Sequence, residues 1–156
     1  MGQKILVAFD DSENAMRAVE YVARTFPSEH RVTLFTVLQD TAALCDMQSP
    51  ELTPYFKSQQ QSFCVLEEKK KDLVSTALAK AAGILREAGF KKEDITIKAE
   101  PKIKGIARDI ANEACTGYDL VVLGRRGMAS IKDYFLGSIS QKVLHLVPEA
   151  SILVVG

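Results

Sequence analysis

Apolar residues along this chain follow two alternating rhythms. Short, β-branched runs recur as KILVAF (Lys4–Phe9), RVTLFTV (Arg31–Val37), ITIKAE (Ile95–Glu100), DLVVLG (Asp119–Gly124) and ASILVV (Ala150–Val155). Their length and residue types predict strands. Between them, apolar positions return at helical spacing. Ala15, Ala18, Val19, Val22 and Ala23 mark a first helix. Leu73, Ala77, Leu78, Ala81 and Leu85 mark a second, from about Leu66 to Ala88, with Gly89 as its stop. Ile103, Ile106, Ala107, Ile110 and Ala114 mark a third that ends near Gly117. Ile139, Val143, Leu146 and Val147 mark a fourth, closed by Pro148.

Strands that alternate with helices predict right-handed crossovers and a mostly parallel sheet covered on both faces. Leu120–Leu123 is apolar at consecutive positions, as doubly buried strands are, whereas Thr33 and Thr36 interrupt the second run. The stretch Gln39–Cys64 breaks the rhythm with two prolines, a glutamine run and weak periodicity. It reads as a long loop leaving the carboxyl end of the second strand, either mobile, a lid or a partner-contacting arm. Lys69–Lys71 beside Glu67–Glu68 reads as a solvated helix face. With no repeat and no domain boundary, a single domain over residues 1–156 is expected, with the loop inserted at about 39–64.

Composition narrows the class without naming a function. At 156 residues the chain is long enough to bury a core, and 47% hydrophobic with 26% charged residues is ordinary for a globular protein. Twenty basic residues balance twenty acidic ones, so no global field steers the chain toward nucleic acid or a membrane. Any preference for anions must be local. Cys45, Cys64 and Cys115 are widely spaced, and His30 and His145 lie far apart, so a zinc site is not expected and reduced thiols are. The first residues, MGQKILVAFDD, lack a signal-peptide pattern, and Leu6 stands where a myristoylation motif needs Ser or Thr. No apolar run approaches a membrane span. A cytoplasmic location is expected.

Chemistry concentrates in GRRGMASIKDYFLGS, Gly124 to Ser138, which follows the fourth strand and precedes the last helix. Open parallel sheets bind ligands outside the carboxyl ends of their strands, where strand order reverses. The first strand ends in FDDS (Phe9–Ser12) and the fourth in Gly124, so both ends fall on that rim in a doubly wound sheet. Glycine lets backbone amides approach a phosphate and permits positive φ, and a helix N-terminus adds free N–H donors. Gly124 and Gly127 would shape the first turn of the loop, while Gly137, Ser138 and Ile139 begin the last helix. Such a loop suits an anionic chain.

The spacing Gly-x2-Gly-x9-Gly-Ser resembles the nucleotide-binding signature of the universal stress protein family, in its ATP-binding branch. ILVAFDDSENAMRAVEYVA, DLVVLGRRG, FLGSISQKVL and SILVV are similar to family segments, in family order. The resemblance covers the chain outside Gln39–Cys64. It implies an open five-stranded parallel sheet of order 3-2-1-4-5 with helices on both faces, an adenine nucleotide alpha hydrolase-like fold. It implies a stress-response regulator that binds ATP or another adenine nucleotide, with Mg or Mn carried on the phosphates. Carried across, Asp10 lies near the ribose and adenine, and Val37 approaches adenine. Ala8 and Leu123 flank the site, while Gly124, Arg126, Gly127, Gly137, Ser138 and Ile139 line the phosphates. The family often has proline at the position of Ala8 and glycine near Glu100 and Pro101.

Each residue also has a plainer role. Asp10, Asp11 and Ser12 are able to cap the first helix. Gly124 can simply terminate a strand and Gly137 admit a helix. Arg125, Arg126 and Lys132 can be solvated, and Tyr118, Phe135 and His145 read as packing or surface residues. No Walker Gly-x4-Gly-Lys-Ser/Thr and no Gly-x-Gly-x-x-Gly after the first strand occurs. A receiver-type acidic pocket also fails, because Glu100 with Pro101, and Val155 with Gly156, stand where its Asp and Lys are needed. No His or Glu in the loop has an evident base role, so no catalytic residue is assigned. Three readings stay open: a nucleotide-binding regulator, a slow ATPase switch, or a dimeric interaction module without nucleotide. The uncharged last strand would form a sheet edge, which favours a homodimer through Ile152–Val155; the resemblance points to the same dimer.

Overall fold

A computed structural model of the chain describes residues 2–10, 12–39, 45, 53–125 and 137–156. Five strands, β1 (Lys4–Ala8), β2 (Arg31–Leu38), β3 (Ile95–Pro101), β4 (Leu120–Gly124) and β5 (Ser151–Val155), alternate with helices α1 (Glu13–Thr25), α2 (Pro54–Glu87), α3 (Ile106–Ala114) and α4 (Ser138–Leu146). All neighbours pair parallel, in the order β3-β2-β1-β4-β5, as expected. Val7 of the central strand pairs with Leu34 on one side and Val122 on the other.

Side chains alternate between the two faces of the sheet. Ile5, Val7, Val32, Leu34 and Val122 meet Ala18, Val19 and Val22 of α1 and Leu78, Ala81 and Leu85 of α2. Leu6, Phe35, Val121 and Leu123 meet Ala107, Ile110 and Ala114 of α3 and Val143 of α4. A sheet buried on both faces explains why β1 and β4 lack polar interruptions. Local signals set the helix ends. The Ser12 hydroxyl accepts from the Ala15 amide at 3.2 Å to start α1. Gly89, at φ 104°, ends α2 while the Phe90 amide reaches back to the Leu85 carbonyl at 3.1 Å.

Several expectations are corrected. Helix α2 begins at Pro54 rather than near Leu66, so residues 54–64 are helical, not loop. Thr53 caps it by accepting from the Phe56 amide at 3.2 Å, and Pro54 occupies the first turn, where its missing N–H costs nothing. The glutamine run is good helix material; it hid the helix because it buries no face. Leu73, expected in the core, is 59% exposed. Ile103 is 81% exposed and precedes α3, which starts after Gly105 at φ 140°. The Asp109 carboxylate holds the preceding turn by accepting from the Ile103 amide at 2.8 Å and the Lys104 amide at 3.0 Å. Those two bonds hold its carboxyl below the usual carboxylate range.

The thiols are also not all reduced. Cys45 and Cys64 form a disulfide with a Cα–Cα distance of 5.9 Å, within the usual range, while Cys115 is free and exposed. Cys64 lies in the helical stretch 54–64 of α2, and its pairing with Cys45 could not be read from spacing alone. Among the described residues, no helix is long and apolar enough to cross a membrane.

Candidate functional site

Strand order reverses between β1 and β4, and a cavity of about 350 Å³ opens at their carboxyl ends. That volume falls within the range of small-molecule sites. Ala8, Phe9 and Asp10 continue from β1 into its wall, and Phe35, Thr36 and Val37 contribute from β2. The Phe9 amide donates to the Phe35 carbonyl at 2.8 Å, which carries the sheet pairing past the last residue of β1. Ile106 and Ile110 of α3 add an apolar side. Asp10 is the one charged side chain among the described lining residues. Its Oδ1 accepts from the Ser12 amide at 2.8 Å, which fixes the carboxylate beside the start of α1.

Leu123, Gly124 and the first residues of α4 form the opposite wall. The Arg125 amide donates to the Val155 carbonyl and the Gly137 amide to the Arg125 carbonyl, both at 2.7 Å. These bonds seat the beginning of α4 against the end of β4. A third bond, from the Ser140 hydroxyl to the Gly124 carbonyl at 2.8 Å, reinforces them. Gly137 caps α4 without a side chain, and the first helical bond runs from the Gln141 amide to the Gly137 carbonyl at 3.1 Å. The amides of Ser138, Ile139 and Ser140 precede that bond and have no intrahelical partner. They therefore present donors and the positive end of the helix dipole to the cavity.

Gly124 has a packing role. A Cβ placed there would stand 3.0 Å from Asn14 Cβ and 3.1 Å from the Asn14 carbonyl oxygen. Glycine therefore lets the end of β4 come close to the first turn of α1. Positive φ is not the reason: among the described residues, it occurs at Gly89, Gly105 and Gly117.

The cavity thus brings together Ala8, Asp10, Val37, Leu123, Gly124, Gly137, Ser138 and Ile139 from the expected set. Arg126 and Gly127 lie outside the described residues, as do Lys132 and Phe135. Ser12 caps α1 and also lines the cavity, while Asp11 also lies outside the described residues. Arg125 and His145 are exposed. Tyr118 donates to Glu113 at 3.0 Å and is not in the cavity wall. Sequence reasoning missed Phe9, Thr36, Ile106, Ile110 and Ser140 as wall residues. Ser140 carries the clearest missed signal: a buried serine on an apolar helix face, three residues beyond the capping glycine.

Comparison with known proteins agrees with this architecture. Universal stress protein YxiE of Bacillus subtilis is 31% identical over 149 residues, covering 94% of each chain. The structure of universal stress protein UspA from Lactobacillus plantarum superposes with a TM-score of 0.70 at 20% identity, covering 99% of this chain and 97% of that one. A universal stress protein in complex with cAMP superposes with a TM-score of 0.61 at 20% identity, over the same two shares. At such identities the structures establish the fold. The model of the universal stress protein family matches residues 1–156, and the chain belongs to that family.

Proposed function

We propose that this chain is an ATP-binding member of its family, a stress-response regulator that holds an adenine nucleotide at the β1/β4 reversal. The carrying observation is that one cavity joins Asp10 and Val37 to Gly124 and the uncapped amides of α4. The base lies against Val37, the Asp10 carboxylate faces the ribose hydroxyls, and the phosphates take the amides and hydroxyl of Ser138 and the amide of Ile139. Gly127 and Arg126 complete the phosphate side. A structural neighbour described in complex with cAMP supports an adenine ligand.

A divalent ion, Mg or Mn, fits the hard oxygen donors of Asp10 and Ser138. Among the described residues no three His, Cys, Asp or Glu groups converge, so phosphate and water would supply most of its ligands. Asp10, the one carboxylate among the described lining residues, already accepts from the Ser12 amide, which favours binding with little turnover over a fast ATPase. We further propose a cytoplasmic homodimer paired through Ile152–Val155 of the edge strand β5.

The test is to extract and identify nucleotide from the purified protein, counting metal alongside, and to repeat this with Gly127→Leu. Adenine nucleotide in the parent and its loss from a folded variant are expected. Equal nucleotide content in both, or none in the parent after incubation with ATP, overturns the reading.

A further inference from the structure

Helix α2 keeps one face covered along most of its length, but the chemistry of that face changes midway. Gln60, Cys64 and Glu67 fall at helical spacing on the same side as Leu78, Ala81 and Leu85. The second three belong to the core shared with α1 and the sheet. The first three are polar or sulfur-bearing. Between Pro54 and Leu73 every other side chain is exposed, and among the described residues none from that stretch joins either core.

Helices in proteins draw most of their stability from packing an apolar face, and the first half of α2 has little of that to draw on. Glu67 meets Lys70 at 3.3 Å, but the Lys70 side chain is 65% exposed, and such pairs are worth little. The Thr53 cap adds one exposed hydrogen bond. A stronger tie is covalent: Cys64 is bonded to Cys45 across a separation of 19 residues. Neither cysteine belongs to a core, and both are partly exposed, so the bond is open to attack by a small thiol.

We propose that the Cys45–Cys64 bond is a reversible redox switch that orders the first half of α2 when oxidised and releases it when reduced. Reduction consumes two molecules of a small thiol such as glutathione. One thiolate attacks a sulfur of the pair and displaces the other, and a second resolves the mixed disulfide. Two protein thiols and one small-molecule disulfide result, with two electrons passed to the protein. Once the bond is open, holding the two segments together costs the loop-closure entropy that the bond had removed. For this separation that entropy corresponds to about a hundredfold in the ratio of docked to released helix. Release also returns the buried Glu67 carboxylate to water, which favours the open state. In the reducing compartment proposed above, the bond forms under oxidation, so the stretch orders in response to an oxidant. The switch itself depends neither on that location nor on the nucleotide reading.

Amide hydrogen exchange read by mass spectrometry tests the switch in the full chain carrying Cys115→Ser, which leaves Cys45 and Cys64 as its cysteines. The protein is equilibrated with oxidised or with reduced glutathione. On reduction, amides of residues 54–70 should lose protection about tenfold or more, while those of β1 and β4 keep theirs. Returning the sample to oxidised glutathione should restore the protection. Cys45→Ser in the same background should match the reduced state in both buffers. Equal protection of residues 54–70 in the two states overturns the proposal. Loss of protection in β1 and β4 also overturns it, because the bond would then support the whole fold. So does a pair that alkylation shows still reduced, or capped by glutathione, in the oxidised buffer.

Discussion

The hydroxyl of Ser140 donates to the carbonyl of Gly124 at 2.8 Å, joining the first turn of α4 to the last residue of β4. Both residues line the cavity, and Ser140 is buried. The bond fixes how far the helix amides stand from the strand end. Ser140→Ala should therefore cost about 1 kcal/mol of stability. It should also weaken ATP binding about three- to tenfold in titration calorimetry. A variant that binds ATP as tightly as the parent would show that the distance is set elsewhere.

Two glycines should respond oppositely to the same substitution. Gly124→Ala sets a methyl 3.0 and 3.1 Å from Asn14, so the first turn of α1 must yield by a few tenths of an ångström, and the change should destabilise by about 1–3 kcal/mol. Gly83 lies inside α2 with nothing within 4 Å of an added Cβ. Gly83→Ala should stabilise by roughly 0.5–1 kcal/mol. Urea midpoints that move in the same direction for both variants would contradict this account.

The disulfide predicts a thiol count. Under non-reducing denaturation one thiol should react, from Cys115, and three after reduction. Cys45 and Cys64 are 19 residues apart, and opening a loop of that length should cost about 3 kcal/mol in the chain-entropy view. Cys45→Ser should reproduce the lower melting temperature of the reduced parent. Three reactive thiols before reduction would remove the bond from the account.

Asp109 supplies a pH dependence of known sign. The Ile103 and Lys104 amides lower its folded pKa, so its contribution is fully present above the ordinary carboxylate value. It fades as pH falls from that value through the lowered one. Asp109→Asn should therefore flatten the acid limb of the stability profile and leave the alkaline limb unchanged. Parallel parent and variant curves below pH 4 would assign the acid limb to other carboxylates.

Most element positions were legible because a doubly buried parallel strand has little choice of residue: Leu120–Leu123 and Ile5–Val7 declare themselves, whereas the sheet order followed only from the family resemblance. The start of α2 was not, since the best-covered residue between Tyr55 and Leu73 is Glu67, expected on a solvated face, and no apolar side chain there is buried to mark a period. Ile103 misled for a related reason. Its spacing fits α3, yet Gly105 and the Asp109 bonds stop the helix short of it. In the site, Gly124 and Gly137 were legible as a pattern. The pressure on Gly124 comes from Asn14, 110 positions away and visible only once β4 lies beside α1. Ser140 and Thr36 resemble ordinary polar residues until tertiary structure encloses them.

The reversal between β1 and β4 has a consequence for biosynthesis. One wall of the cavity is encoded at Ala8–Ala15 and Phe35–Val37, and the other well downstream, at Leu123–Gly124 and Gly137–Ser140. A nascent polypeptide still on the ribosome therefore lacks the second wall until α4 has been translated. Any fragment that stops before Gly137 carries one wall without the other and has no pocket to fill.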